Sequence, residues 1–194
     1  MRITMMLVIL LASFTLSATQ CLSAPPSKVG LSDLPANNKL TRSQEASLNR
    51  LFKDLSGSWV GKSDGFYCIG EELTNARKVA KSHRLEMDFS NDDSMVLSAK
   101  TKAQERDEFT QRIQSLTLYA NQGYLRFDQN NEAGDIWIEA LSSTHVSVWS
   151  VSRAGTVYHL INRVLKRSPS AFTLTMTTYS NNRLTSHYVA RMSN

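Results

Sequence analysis

Cysteine, proline and long apolar runs are scarce in this chain, and each scarcity removes a class of protein. Two cysteines in 194 residues are too few for a disulfide-built scaffold, and no Cys-x-x-Cys pair suggests zinc. Of the four prolines, Pro25, Pro26 and Pro35 share one stretch, so neither a collagen-like nor a proline-rich disordered chain is described. The longest apolar run, "MMLVILLASFTL" after Arg2, is too short to span a bilayer as a helix. No Asn-x-Ser/Thr sequon occurs. What remains is 41% hydrophobic and 20% charged, the balance of a globular protein with room for one domain and a real core.

Arg2, the apolar run and the small residues behind it have the layout of a secretory signal peptide over residues 1–24, cut after Ala18 or Ala24. Export would put the protein outside the cell or in a periplasm. Cleavage after Ala18 keeps Cys21, and cleavage after Ala24 removes it. Three fates for Cys21 follow. It forms a disulfide with Cys68, it carries a lipid that makes the chain an outer-membrane lipoprotein, or it leaves with the signal and strands Cys68 as a lone buried thiol. The net charge of +5 is spread along the chain. Its densest cluster, "NRVLKRS" with Arg163, Lys166 and Arg167, reads as a solvated strand end. Nothing resembles a basic stripe with interleaved aromatics, so nucleic acid is not an expected partner.

Residues 25–40 show no apolar periodicity and read as a flexible linker. A helix follows. Thr41 and Gln44 have capping-box spacing, Leu48, Leu51, Phe52 and Leu55 recur on one helical face, and Gly57 stands where the helix should stop. Beyond Gly57 the periodicity changes to two. "DIWIEAL" sets Ile136, Ile138 and Ala140 against Trp137 and Glu139; "HVSVWSV" sets Val146 and Val148 against His145, Ser147 and Trp149. "AFTLTMTTY" sets Phe172, Leu174 and Met176 against threonines. Such runs are half-buried strands, and turn residues separate them at Asn91–Asp93, Asn121–Gly123, Asn130–Gly134, Arg153–Gly155 and Asn181–Asn182. About eight to ten antiparallel strands without a crossover helix should close on themselves as an up-and-down β-barrel.

One stretch, "GSWVGKS" at 57–63, invites a competing interpretation as a phosphate loop. The spacing fails, because Gly57 lies one place off the required glycine, and the helix precedes the strand instead of following it. No other catalytic pattern is visible. His83, His145 and His159 stand on separate strands and read as structural or surface residues, without metal-ligand spacing. No serine sits in a Gly-x-Ser-x-Gly elbow. The acidic pairs Glu71-Glu72 and Asp92-Asp93 fall in turns. These absences lead to the expectation that the protein is not an enzyme and holds neither metal nor cofactor.

"LSGSWVG" resembles the Gly-x-Trp opening of the calycin superfamily, the lipocalin-like and nitrobindin-like β-barrels. The resemblance implies that Trp59 plugs one barrel end, with Arg191 of "SHYVARM" packed over its indole as a cation–π partner. It also implies an exported binding protein for a small hydrophobic or amphipathic ligand, with Trp137, Trp149, Tyr124 and Phe127 lining the barrel or its rim. An alternative is a solid-cored barrel that docks an envelope protein. A second alternative comes from "MTTYSNNRLTSHYVARM", which is similar to the closing hairpin of nitrobindin-like haem barrels and would make His187 an axial haem ligand.

Overall fold

The computed structural model describes residues 21, 30, 39–70, 73–91, 95–105, 108–121, 123–127 and 136–194. The expected signal segment, apart from Cys21, and most of the linker lie outside these residues. The helix, α1, runs over Arg42–Leu55. Both halves of its capping box form: the Gln44 amide donates to Thr41 Oγ1 at 3.2 Å, and the Thr41 amide donates to Gln44 Oε1 at 2.9 Å. Its buried face is Leu48, Leu51, Phe52 and Leu55. The chain then turns on Gly57, whose φ of +128° suits glycine alone. That turn folds Trp59 back, so its indole N–H donates to the Leu55 carbonyl at 2.8 Å. One of the helix's orphan C-terminal acceptors is thereby satisfied by the first strand.

Ten strands follow among the described residues: β1 (Gly57–Ile69), β2 (Asn75–Asn91), β3 (Met95–Glu105), β4 (Glu108–Asn121), β5 (Tyr124–Phe127), β6 (Ile136–Leu141), β7 (His145–Ala154), β8 (Val157–Ser168), β9 (Ala171–Ser180) and β10 (Arg183–Ser193). They make one antiparallel sheet in the order β5-β4-β3-β2-β1-β10-β9-β8-β7-β6. Every neighbour is consecutive in sequence except β1 and β10, whose pairing joins the two ends of the meander. Asn181 and Asn182, both at positive φ, make the tight β9–β10 turn. The edge strands β5 and β6 come close to each other, yet the ladder does not continue between them. The fold is thus an up-and-down barrel with one seam.

Alternation along each strand identifies the inside. Trp59, Leu85, Met87, Met95, Leu97, Leu125, Ile136, Val148, Phe172 and Met192 gather with Leu48, Leu51, Phe52 and Leu55 in one cluster. Residues from eight strands can meet one helix only within a curled sheet. The helix therefore closes one end of the barrel, and Trp59 (2% exposed) sits beneath it, edge-on to Phe172 at 4.9 Å. Leu40, just before the helix, is pinned by its amide to the Gly123 carbonyl at 2.6 Å.

A second cluster lies on the opposite face. Trp137, Trp149, Val151 and Leu160 pack with Tyr158 and Tyr179. Trp149 and Val151 alternate with Val148 and Ser150 on β7, and Leu160 is the register partner of Val151. The outer surface of the barrel thus has its own apolar cluster, in which burial raises the Tyr179 pKa above the ordinary tyrosine value.

Candidate functional site

Away from α1, the inward face changes character. Gly65, Tyr67, Val79, Lys81, His83, Ile161, Arg163, Met176 and Tyr188 all remain half-buried, so solvent reaches this half of the inward face. Ser63 and Ser150 are the buried polar residues among them, at 7% and 4% exposure. Gly65 makes room for the Tyr188 ring, because a Cβ there would stand 2.5 Å from Tyr188 Cδ1.

Two polar contacts define this open half. Ser63 Oγ and His83 Nε2 lie 2.6 Å apart, joining β1 to β2 across the diagonal of the Ser63–Lys81 and Gly61–His83 register pairs. Burial, and then the neighbouring Lys81 charge, hold His83 below the ordinary histidine pKa. The imidazole is therefore neutral near pH 7. Across the barrel, Arg163 donates to Ser150 Oγ at 2.7 Å. Burial pulls this guanidinium below the usual arginine value, although an arginine stays charged in any protein. Nearer the mouth, His159 Nδ1 meets Ser180 Oγ at 2.7 Å, and Arg77 lies 5.8 Å from the centre of the Tyr67 ring.

Several sequence expectations need correction here. Trp137 and Trp149 do not line the interior; they stack on the outer face, 6.1 Å apart and 9° from parallel. The reason is alternation: Val146 and Val148 turn inward, so Trp149 must turn outward. Glu139 holds the pair in place, accepting from Ser147 Oγ at 2.7 Å and from the Trp149 indole at 3.2 Å. Glu139 is also the extra residue of a β-bulge that moves Ala140 opposite Ser147 on that outer face. Tyr124 alternates with the buried core residue Leu125 and so shares no face with it. Phe127 holds the register position opposite Leu118, and its side chain lies outside the described residues.

Arg191 does not cover Trp59. It is 65% exposed on the outside and pairs with Asp64 at 3.3 Å, because its neighbour Met192 takes the inward position. His187 shares the face of Arg191. It stands opposite Phe66 and Thr177, with Nδ1 3.0 Å from Thr177 Oγ1. An outward imidazole cannot ligate haem inside the barrel, so His187 is not placed to be the axial ligand the resemblance implied. The "NRVLKRS" cluster divides as well. Arg163 and Arg167 point inward with Leu165, and only Lys166 faces out. Arg167 reaches α1, 3.3 Å from the Asp54 carboxylate, and its Nε donates to the Asp54 carbonyl at 3.2 Å.

Among the described residues no group of three or more His, Cys, Asp or Glu side chains could hold a metal ion. Cys21 and Cys68 are joined in a disulfide with their Cα atoms 6.0 Å apart. Cys68 lies at the far end of β1 from Trp59.

An α-helix-capped, up-and-down barrel with the first and last strands paired is a calycin-like architecture. No family model matches the chain, and no curated protein matches its sequence. Among solved structures it is similar to the S-type phycobiliprotein lyase CPES from Guillardia theta, at 10% identity over 79% of this chain and 98% of that one, with a TM-score of 0.48. It is also similar to Rv2717c from M. tuberculosis, at 13% identity over 80% of this chain and 98% of that one, with a TM-score of 0.39. These likenesses concern shape alone. The expectation that the protein is not an enzyme is withdrawn, because a fold does not decide chemistry and the lack of a catalytic motif excludes none; one of the similar barrels bears the name of a lyase.

Proposed function

We propose that the chain is a binding barrel for a small amphipathic molecule, taken up through the end opposite α1 with its apolar part toward the helix. One observation carries the reading: a single inward face is buried and apolar beside α1 except for Arg167, paired with Asp54, and is half-exposed with interspersed polar side chains beyond Ser63. An apolar group entering the cup would gain roughly 25 cal/mol per Å² of buried surface before ordering costs. A polar group on the same molecule would meet Ser63, His83, Ser150 and Arg163 in place of water.

The neutral dye Nile red tests this in solution. Saturable fluorescence enhancement is expected, with loss when Met176→Trp or Ala190→Trp fills the interior; circular dichroism checks that both variants fold. Absence of dye binding, or binding unchanged in both folded variants, overturns the reading.

The same reading includes export, supported by the "MMLVILLASFTL" leader and by the Cys21–Cys68 bond, which belongs to an oxidising compartment. Protein recovered from its own cells should begin at or before Cys21 and yield a 21–68 linked peptide without reductant. Material that keeps the whole 1–24 leader, with Cys21 and Cys68 both reduced, would refute export.

A further inference from the structure

Three of the four histidines each meet a hydroxyl, and the pairs differ in where the hydroxyl hydrogen goes. His187 and Thr177 stand on the outer face, away from the cup. Near the mouth, Ser180 donates to Thr185 Oγ1 at 3.3 Å, and Thr185 donates to the Thr178 carbonyl. The Ser180 oxygen is thus left to accept from His159 Nδ1. Ser63 has no such outlet. At 7% exposure, its hydrogen-bond partner among the described residues is His83 Nε2, 2.6 Å away. A buried hydroxyl hydrogen needs an acceptor, so Ser63 donates to Nε2 and His83 keeps its own hydrogen on Nδ1. That is the arrangement of a nucleophile with its base.

We infer that Ser63 is a nucleophile, with His83 as its base, toward activated esters of apolar acids bound in the cup. The inference rests on the binding reading above and gives that site a reaction. Its place in the barrel supports it, since Ser63 is the last buried inward residue of β1 counted from Trp59. An acyl chain lying toward α1 therefore brings its carbonyl to the hydroxyl. Gly61-Lys62-Ser63-Asp64-Gly65 has the spacing of a nucleophile elbow, yet it runs within β1 and turns into no helix. Its glycines let β10 lean in on both sides of Ser63. A Cβ at Gly61 would stand 2.7 Å from Met192 Sδ, and one at Gly65 would meet the Tyr188 ring.

In the reaction, Ser63 Oγ bonds to the carbonyl carbon as its hydrogen passes to His83 Nε2. The bond from that carbon to the leaving oxygen then breaks, and Nε2 returns the proton to the leaving group. Water, deprotonated by His83, next cleaves the acyl-serine to the free acid and restores Ser63. Backbone N–H groups of β1 are given to the ladders with β2 and β10, so water in the open half solvates the oxyanion. Ladder-bound amides cannot be turned to that charge, which confines the reaction to esters with stable leaving groups.

Release of p-nitrophenolate from p-nitrophenyl octanoate tests the claim, with Nile red binding followed on the same samples. The wild-type chain should give a burst of about one equivalent, and its digest should carry octanoyl on Ser63. Ser63→Ala should abolish burst and label, and His83→Gln should slow acylation about a hundredfold. Ser180→Ala should leave both intact, since its hydroxyl hydrogen goes to Thr185. Circular dichroism checks the folding of each variant, and the position of the label in the wild-type chain decides where a variant does not fold. Label on a residue other than Ser63, or a burst that persists in Ser63→Ala, overturns the inference. An undiminished rate in folded His83→Gln, or an equal loss in Ser180→Ala, does so too. No burst and no label, with Nile red still bound, overturns the inference and leaves the binding reading in place. Failure of the dye to bind at all removes the binding reading, and the inference with it.

Discussion

Trp59 and Ser63 lie four residues apart on one face of β1, and everything around them differs. Trp59 is 2% exposed, its N–H is given to the last turn of α1, and its ring meets Phe172. Ser63 is nearly as buried, yet its neighbours are His83, Lys81 and half-exposed backbone glycine. The same strands thus build a stabilising end and a receptive end. Helical cover makes the difference: α1 seals the first end with four buried side chains, and no described element seals the second. Stability and recognition are divided along the barrel axis, which fits the general separation of rigid scaffold from functional surface.

The sharpest way to break this comparison is to cut the capped end. Trp59→Ala removes the indole, the Leu55 contact and the Phe172 contact together, and should cost about 3–5 kcal/mol by urea unfolding. Leu51→Ala, at a side chain with 0% exposure, should cost about 2–4 kcal/mol by the same measurement. Met176→Ala in the open half removes a side chain that is only half-buried. A loss of about 1 kcal/mol is expected there. Equal losses at Leu51 and Met176 would mean that the two halves are packed alike.

How far these ends could be read from sequence depends on the range of the signal. The capped end is local: capping box, apolar stripe, Gly57 and Trp59 are contiguous, and each acts on its neighbours. The strands were legible too, since period two survives any error in their pairing. The faces were legible in principle. "HVSVWSV" already sets Trp149 against Val146 and Val148, and "LINRVLKRS" already sets Arg163 with Ile161 and Leu165. Size and charge misled where alternation did not: a tryptophan invites an interior place, and an arginine invites solvent. Ser63 with His83, and Ser150 with Arg163, were beyond reach, because such pairs depend on register between separate strands. The bulge at Glu139 likewise shifts one residue of a regular-looking strand, and nothing in "DIWIEAL" announces it.

Acid offers a gentler comparison between inside and outside. His83, on the inner face, and His187, on the outer, both have pKa values lowered from 6.5, in each case chiefly by burial. Below pH 6.5 an unfolded chain protonates both while the folded one resists, so stability should fall as pH drops through that region and level off below the folded values. Above pH 6.5 neither group contributes. Lys81 adds to the depression at His83 only, and salt screens that part. Urea midpoints followed from pH 8 to 5 should therefore show His83→Gln losing a salt-sensitive share of the slope, and His187→Gln a salt-insensitive one. A midpoint that rises on acidification in the wild-type chain would contradict the placement of both rings.

The smallest effect belongs to Arg191, and its smallness is the test. Packed over Trp59, that side chain would belong to the capped end, and its removal would expose the indole and weaken the seal. Paired with Asp64 on the outside, both partners more than 60% exposed, it contributes little, because water screens the pair and both side chains give up rotamer freedom to hold it. Arg191→Ala should accordingly shift stability by less than about 0.5 kcal/mol, with the shift vanishing in high salt. The emission maximum of the buried Trp59 should not move. A red shift, or a loss approaching that of Leu51→Ala, would return the guanidinium to the indole and join the outer face of β10 to the barrel floor.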